Sequence, residues 1–161
     1  DRPVVEVSTH PTDLLVEAAP TGTYEVEVGY TVTFTNTTDA DGQTSNIVLR
    51  PQVPAGFTLK NVTGTGTPWW IHEDDYAIQP DGSVPLPTED TLYANSSTTM
   101  TFTNTYTVNA DAITEDGWKA LGTCNPKDPS QGLTTRIDVA GSDGIEPATY
   151  STCTTVTRTK N

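Results

Sequence analysis

Cations are scarce in this chain: Lys and Arg together number 8 against 21 Asp and Glu, giving a formal net charge of −13 and a pI near 4.2. The few that exist are scattered, so no basic stripe is available to neutralise phosphates, which excludes nucleic acid and anionic membrane surfaces as partners. Long hydrophobic runs are also missing. No stretch approaches the roughly 18 to 20 apolar residues that a bilayer crossing needs, and the opening DRPVVEV lacks the apolar core of a signal peptide. The expectation is a mature, soluble fragment with no membrane insertion.

Catalytic signatures are absent as well. The two histidines, His10 and His72, have no partnered Ser or Cys motif, and neither G-x-S-x-G nor H-E-x-x-H occurs. The adjacent acids Glu73, Asp74 and Asp75 suit a solvated edge better than a glycosidase pair. No catalytic residue is assigned, and the chain reads as a non-enzyme.

The only cysteines, Cys124 and Cys153, leave three readings: free buried thiols, half of a metal site, or a disulfide. Zinc sites need close Cys/His spacing, and both histidines lie far away in sequence. In an acidic, Thr-rich chain of secreted character the compartment favours the disulfide. Closing such a loop stabilises by roughly 3 to 4 kcal/mol in the chain-entropy model.

What the chain has in abundance is threonine, about a fifth of all residues. Thr is β-branched, prefers extended backbone and carries a hydroxyl that tolerates water, so Thr at every second position builds an outward sheet face without charge repulsion. Tyr24 to Asn36, YEVEVGYTVTFTN, shows the pattern: Tyr24, Val26, Val28, Tyr30, Val32 and Phe34 recur with period two, while Glu25, Glu27, Thr31, Thr33 and Thr35 face away. TTMTFTNTYTVNA repeats it with Met100, Phe102, Tyr106 and Val108, interrupted by Asn104. Further strands are expected at Val4 to Ser8, Asn46 to Leu49, Phe57 to Val62, Thr91 to Tyr93, Leu133 to Val139 and Thr149 to Thr157, with an extended piece at WWIHEDDYAI. Pro11 to Pro20 reads as an irregular crossing, and ADAITEDGWKALG, with Gly117 in its middle, allows a helical turn or two at most. The fold class is therefore all-β: an antiparallel β-sandwich of eight or nine strands, one domain over residues 1–161 with an irregular last third at 110–161.

VEVSTHPTDLLVEAAPTGTYEVEVGYTVTFTNTT followed by NIVLRPQVPAGFTLKNVTGTGT resembles the immunoglobulin-like conserved repeat module of bacterial cell-surface, adhesin-like proteins, in which a long strand ending in TVTN precedes a strand, a PAG turn and another strand. The Thr-rich TTMTFTNTYTVNADA and LTTRIDVAGSDG fit its later strands. The resemblance implies an immunoglobulin-like sandwich at the cell surface or cell wall, acting as a structural spacer in adhesion, with neighbouring modules of the same polypeptide as partners. Related pilin and adhesin modules carry a Lys to Asn isopeptide staple, which needs a desolvated amine, an amide and an acid together. This sequence departs at all three positions: VEVSTH has no Lys, Pro51 and Gln52 replace the acid, and Thr134 and Thr135 replace the Asn. The cysteine link takes the stapling role instead.

Two candidate sites remain. Trp69 and Trp70 are neighbours, so on an extended segment their rings point to opposite faces; beside His72 and Tyr76 an exposed ring would form a platform for a glycan or protein ligand, the alternative function being a binding head. The bland reading covers both rings with core or loop. No cofactor is expected, calcium being the one ion with a partial ligand set: Asp39-Ala-Asp41-Gly42 begins like a calcium loop but lacks its completing acid, and the same residues make a good hairpin turn. Asp111, Glu115 and Asp116 form a weaker cluster of the same kind.

Overall fold

The computed structural model describes residues 2–44, 46–66, 76–86, 91–141 and 143–159. Among them run eleven strands: β1 (Val5–Pro11), β2 (Leu15–Ala18), β3 (Thr23–Asn36), β4 (Gly42–Gln43), β5 (Ile47–Pro51), β6 (Phe57–Gly66), β7 (Val84–Pro85), β8 (Thr91–Leu92), β9 (Ser96–Asn109), β10 (Leu133–Val139) and β11 (Ala148–Arg158). One α-helix, α1 (Glu115–Leu121), follows a single 3-10 turn at Ala110–Ala112.

Alternation along the two longest strands makes the first sheet. β3 and β9 pair antiparallel from Thr23↔Asn109 to Asn36↔Ser96, with Tyr30, Val32, Phe34, Met100 and Phe102 at or near zero exposure on the inner side. On the outer side the hydroxyls meet across the strands: Thr33 with Thr99 and Thr35 with Ser97, each at 3.1 Å. β1 and β6 flank this pair, giving the order β1-β3-β9-β6. A bulge between Leu59 and Asn61 leaves Lys60 outside the ladder, where its ammonium meets the Glu25 carboxylate.

The second sheet has the order β2-β11-β10-β5-β7, and β4 and β8 form a small separate ribbon. Its inner residues Ile47, Leu49, Ile137 and Val139 pack against the inner face of the first sheet at the Asn36 end, called upper here. At the lower end Val26, Val28, Phe57, Tyr106 and Val108 meet Leu133 and Val156. Two layers sharing a core in this way form a β-sandwich.

Two expectations change. The sheets are not wholly antiparallel, because β2 pairs parallel to β11 from Leu15↔Thr155 to Ala18↔Arg158. β2 lies in the stretch expected to be an irregular crossing; it is held by backbone bonds, Thr155 N–H to Leu14 O at 3.0 Å and Thr159 N–H to Ala18 O at 2.8 Å, rather than by its side-chain pattern. Eleven strands stand where eight or nine were expected, the unforeseen ones being β2 and the two-residue β4 and β7.

The lower end is closed by α1. Thr114 caps it, its Oγ1 accepting the Gly117 N–H at 3.0 Å, and Glu115 and Asp116 place negative charge in the first turn. Gly117 survives mid-helix because a Cβ there would stand 3.2 Å from Ile113 Cγ2 and 3.3 Å from Thr114 Oγ1, crowding the cap. Trp118 and Leu121, one turn apart, bury themselves in the lower core. Arg158, at the end of β11, clamps the helix with a bidentate pair to Glu115 (2.7 and 2.8 Å) and lies 5.4 Å above the Trp118 ring.

Cys124 and Cys153 are joined, S–S 2.06 Å and Cα–Cα 6.0 Å, tying the loop after α1 to β11.

Candidate functional site

Between the upper and lower cores the interior turns polar. Asn104 of β9 has zero exposure, so its amide must find partners inside. Its Oδ1 accepts the Tyr30 hydroxyl at 2.8 Å, and its Nδ2 donates to Thr135 Oγ1 at 2.9 Å across the sheet interface. Tyr106 O–H continues the chain to the Gln52 carbonyl at 3.1 Å. The network thus bolts β3 and β9 to β10 and the end of β5. Burial pushes the Tyr106 phenol up to about 12, and pushes Tyr30 well above the ordinary tyrosine range, with the neighbouring Tyr106 adding to it and hydrogen bonds from Thr135 and Asn104 opposing. Both phenols stay neutral near pH 7, which suits a fastening.

A second polar assembly lies on the outer face of the five-stranded sheet. Arg50 of β5 and Arg136 of β10 occupy the same register position, and Asp138 stands two residues along from Arg136. The Arg50 guanidinium binds Asp138 Oδ2, while Thr149 O–H donates to Oδ1 at 2.8 Å. These contacts hold the Asp138 carboxyl below its usual range, the Arg50 bond most of all. Two clefts, of about 340 and 410 Å³, flank Arg136 and share Pro129, Thr134 and Arg136 in their walls. They make a two-part groove divided by those shared residues, one part reaching the Asp81–Ser83 turn and the other the disulfide.

The loop walling that groove is pinned. Asp128 Oδ1 accepts Ser130 N–H (3.0 Å) and O–H (2.6 Å), Gly132 N–H reaches Ala120 O at 2.8 Å, and Thr134 O–H reaches Gln131 O at 3.0 Å. Gly132 has φ +66°, and a Cβ there would meet Cys153 Sγ at 2.4 Å and Cys124 Sγ at 2.9 Å. Only glycine fits against the sulfurs in that conformation.

Of the platform foreseen from sequence, Trp69, Trp70 and His72 lie outside the described residues. Tyr76 is half-buried, its ring edge-on to Phe102 at a centroid distance of 6.4 Å and its N–H bound to Val62 O at 2.9 Å, so it serves the upper core. Of the Asp39 and Asp41 pair, Asp39 Oδ1 accepts Asn95 Nδ2 at 2.8 Å and Asp41 Oδ1 accepts Ala94 N–H at 2.9 Å, stapling one loop to the next. Among the described residues no three His, Cys, Asp or Glu side chains gather as a metal set. Asp111 accepts the Gly22 N–H at 3.4 Å, and Glu115 is held by Arg158. Sequence reasoning missed the groove, since Arg50 and Arg136 are brought together only by the β5–β10 register.

No protein-family model matches this chain, and no curated protein matches it in sequence. Among solved structures it is similar to the sporulation control protein Spo0M of Bacillus subtilis, at 12% identity and a TM-score of 0.45, over 96% of this chain and 49% of that one. It is similar also to the seventh ScaB type I cohesin of Pseudobacteroides cellulosolvens, at 11% identity and 0.42, over 96% and 94%. An exo-β-N-acetylglucosaminidase of Vibrio harveyi matches at 18% identity and 0.32, over 97% of this chain and 19% of that one. The chain therefore spans about half the length of the sporulation protein and about a fifth of the glycosidase.

Proposed function

We propose that this chain is a non-catalytic, load-bearing spacer of an extracellular bacterial surface protein, an immunoglobulin-like module whose partners are neighbouring modules of the same polypeptide. The observation that carries the reading is the parallel pairing of β2 with β11. β1 starts at the upper end, where Val5 stands opposite Asn36, and β11 finishes at the lower end, where Arg158 stands opposite Ala18 and grips α1. The chain therefore comes in at one end and leaves at the other. Tension along that line loads the β2–β11 hydrogen bonds in shear, so they must break together, whereas a peeled hairpin would lose them one by one.

Three further features support it. The strand orders β1-β3-β9-β6 and β11-β10-β5 correspond to the ABED and GFC sheets of an immunoglobulin constant-type sandwich, with β2 as an added strand on the last one. The disulfide suits an oxidising compartment. Among the described residues no helix is long and apolar enough to cross a membrane.

Single-molecule pulling between the two termini tests the reading. The disulfide, spanning 29 positions, withholds its loop from extension, so reductant lengthens the unfolded chain by roughly 100 Å at full reach. Val16→Pro, which removes an amide hydrogen from the middle of β2, lowers the rupture force. A folded Val16→Pro variant that ruptures at the same force as the parent overturns the load-bearing role.

A further inference from the structure

β2 stands at the margin of its sheet, first in the order β2-β11-β10-β5-β7. Leu14 and Ala18 give their carbonyls to the Thr155 and Thr159 amides, so every second residue of the segment turns its backbone groups towards β11. Leu14, Val16 and Ala18 are the residues that do so. The N–H and C=O groups of Leu15 and Glu17 point the other way, and no strand meets them among the described residues.

Free edges are normally guarded by Lys, Pro, a bulge or a covering loop. Leu14 to Ala19 carries neither Lys nor Pro, its one charge being Glu17. Nor is it covered: Leu14 is 76% exposed and Leu15 50%, two of the few large apolar side chains that the described residues show to solvent. An open hydrogen-bond ladder and a pair of exposed leucines thus coincide on one segment.

The charges indicate which strand completes it. A second copy of the segment, laid antiparallel, can face its free backbone groups to those of β2 in three registers. With Glu17 opposite Glu17, or Glu17 opposite Asp13, acid meets acid across the ladder, which is destabilising. With Glu17 opposite Leu15 no like charges face each other. In that register Val16 lies on the two-fold axis opposite its own copy, and both Leu15–Glu17 pairs exchange backbone hydrogen bonds. The two Leu15 side chains then stand diagonally on one face, within reach of each other. One strand supplies both halves, as a two-fold contact requires.

We propose that two copies of this chain pair antiparallel, edge to edge, through β2, joining their five-stranded sheets into one continuous sheet. The copies then run in opposite directions. On the spacer reading, which this consequence rests on although the pairing does not, such partners reach towards each other from facing surfaces, and the contact is homophilic adhesion. The contact is small, so each pair is weak and binding between surfaces draws on many pairs at once. The net charge of −13 on each copy opposes it until salt screens the repulsion.

The experiment is sedimentation equilibrium of the full chain up to millimolar concentration, in low and in half-molar salt. Expected are a reversible monomer–dimer equilibrium that tightens with salt and a loss of tenfold or more in affinity for Leu15→Lys. Leu15 is half exposed in the single chain, so this variant keeps the parent's melting temperature. Leu15→Cys and Glu17→Cys proteins, mixed in equal amounts and oxidised, give the mixed disulfide dimer in excess of the half expected by chance. The proposal is overturned by a chain that stays monomeric at millimolar concentration and half-molar salt, by a Leu15→Lys dimer as tight as the parent's, or by mixed Cys dimers at or below the chance share. Single-molecule pulling acts on one chain alone, so the spacer reading stands or falls apart from these results.

Discussion

The Tyr30 hydroxyl donates to Asn104 Oδ1 at 2.8 Å, and both residues have zero exposure although they sit on adjacent strands of a sheet whose inner face is mostly apolar. Asn104 then reaches across the interface to Thr135, so one amide fixes the lateral position of one sheet against the other. An apolar interface alone can slide; a hydrogen bond in low dielectric has one geometry.

Removing that amide is expected to be expensive. Asn104→Ala strands the Tyr30 hydroxyl and Thr135 Oγ1, costing about 2 to 5 kcal/mol when cavity and unmatched groups are taken together. Thermal unfolding should show a drop of roughly 5 to 15 °C at this chain length. The triple change Asn104→Leu, Tyr30→Phe, Thr135→Val should recover most of the loss, since no polar group is then left unmatched. An Asn104→Ala protein as stable as the parent would mean that the network fastens nothing.

Alkali should attack the same place. The folded-state pKa of Tyr106, near 12, lies above that of an unfolded tyrosine, about 10. The stability this difference contributes is complete below pH 10 and is lost as pH rises towards 12, because the unfolded chain releases the proton first. Denaturant midpoints measured from pH 8 to 12 should fall above pH 10, and Tyr106→Phe should flatten that fall.

Acid works through the carboxylates with the opposite sign. Asp138, Asp81, Asp128 and Glu115 are held below their usual ranges: Asp138 chiefly by Arg50, Asp81 by Ser83, Asp128 by Ser130, Glu115 by Arg158. Their contribution is present above the unfolded carboxylate pKa, around 4, and disappears as pH drops through the lower folded values. Midpoints should decline below pH 4, and Asp138→Asn should make that decline shallower while lowering stability modestly at pH 7. An unchanged acid slope in Asp138→Asn would show that the Arg50 pair is too well solvated to matter.

Gly132→Ala tests the backing of the disulfide. A methyl there would collide with both sulfurs in a backbone conformation that L-residues avoid. The variant should lose about 1 to 3 kcal/mol, and its disulfide should be reduced faster by dithiothreitol than the parent's, followed by thiol labelling.

The long strands were legible because period-two patterning over fourteen residues admits one reading, and β3 and β9 run where Val26 to Phe34 and Met100 to Val108 place them. The disulfide followed from compartment and cysteine count. β2 was not legible: LVEA is four residues with Leu15 half exposed, and its strand state comes from backbone bonds to β11, 140 positions away in sequence. Asn104 stood out only as an interruption of a pattern; that it is a junction depends on Tyr30 and Thr135 arriving from other strands. Arg50 and Arg136 looked like scattered cations for the same reason. Local periodicity speaks for an element's inner face, whereas a groove on the outer face is written in the register between strands.

The hydroxyl pairs on the outside of β3 and β9 have a consequence of their own. Thr31, Thr33 and Thr35 lie beside Thr101, Thr99 and Ser97, two rows of hydroxyls that bind water, bordered on β1 by Glu6 opposite Thr35 and His10 opposite Thr31. The hydroxyl rows themselves hold no charge for salt to screen, so beside them it is the Glu6 and His10 margin of that face that answers to ionic strength.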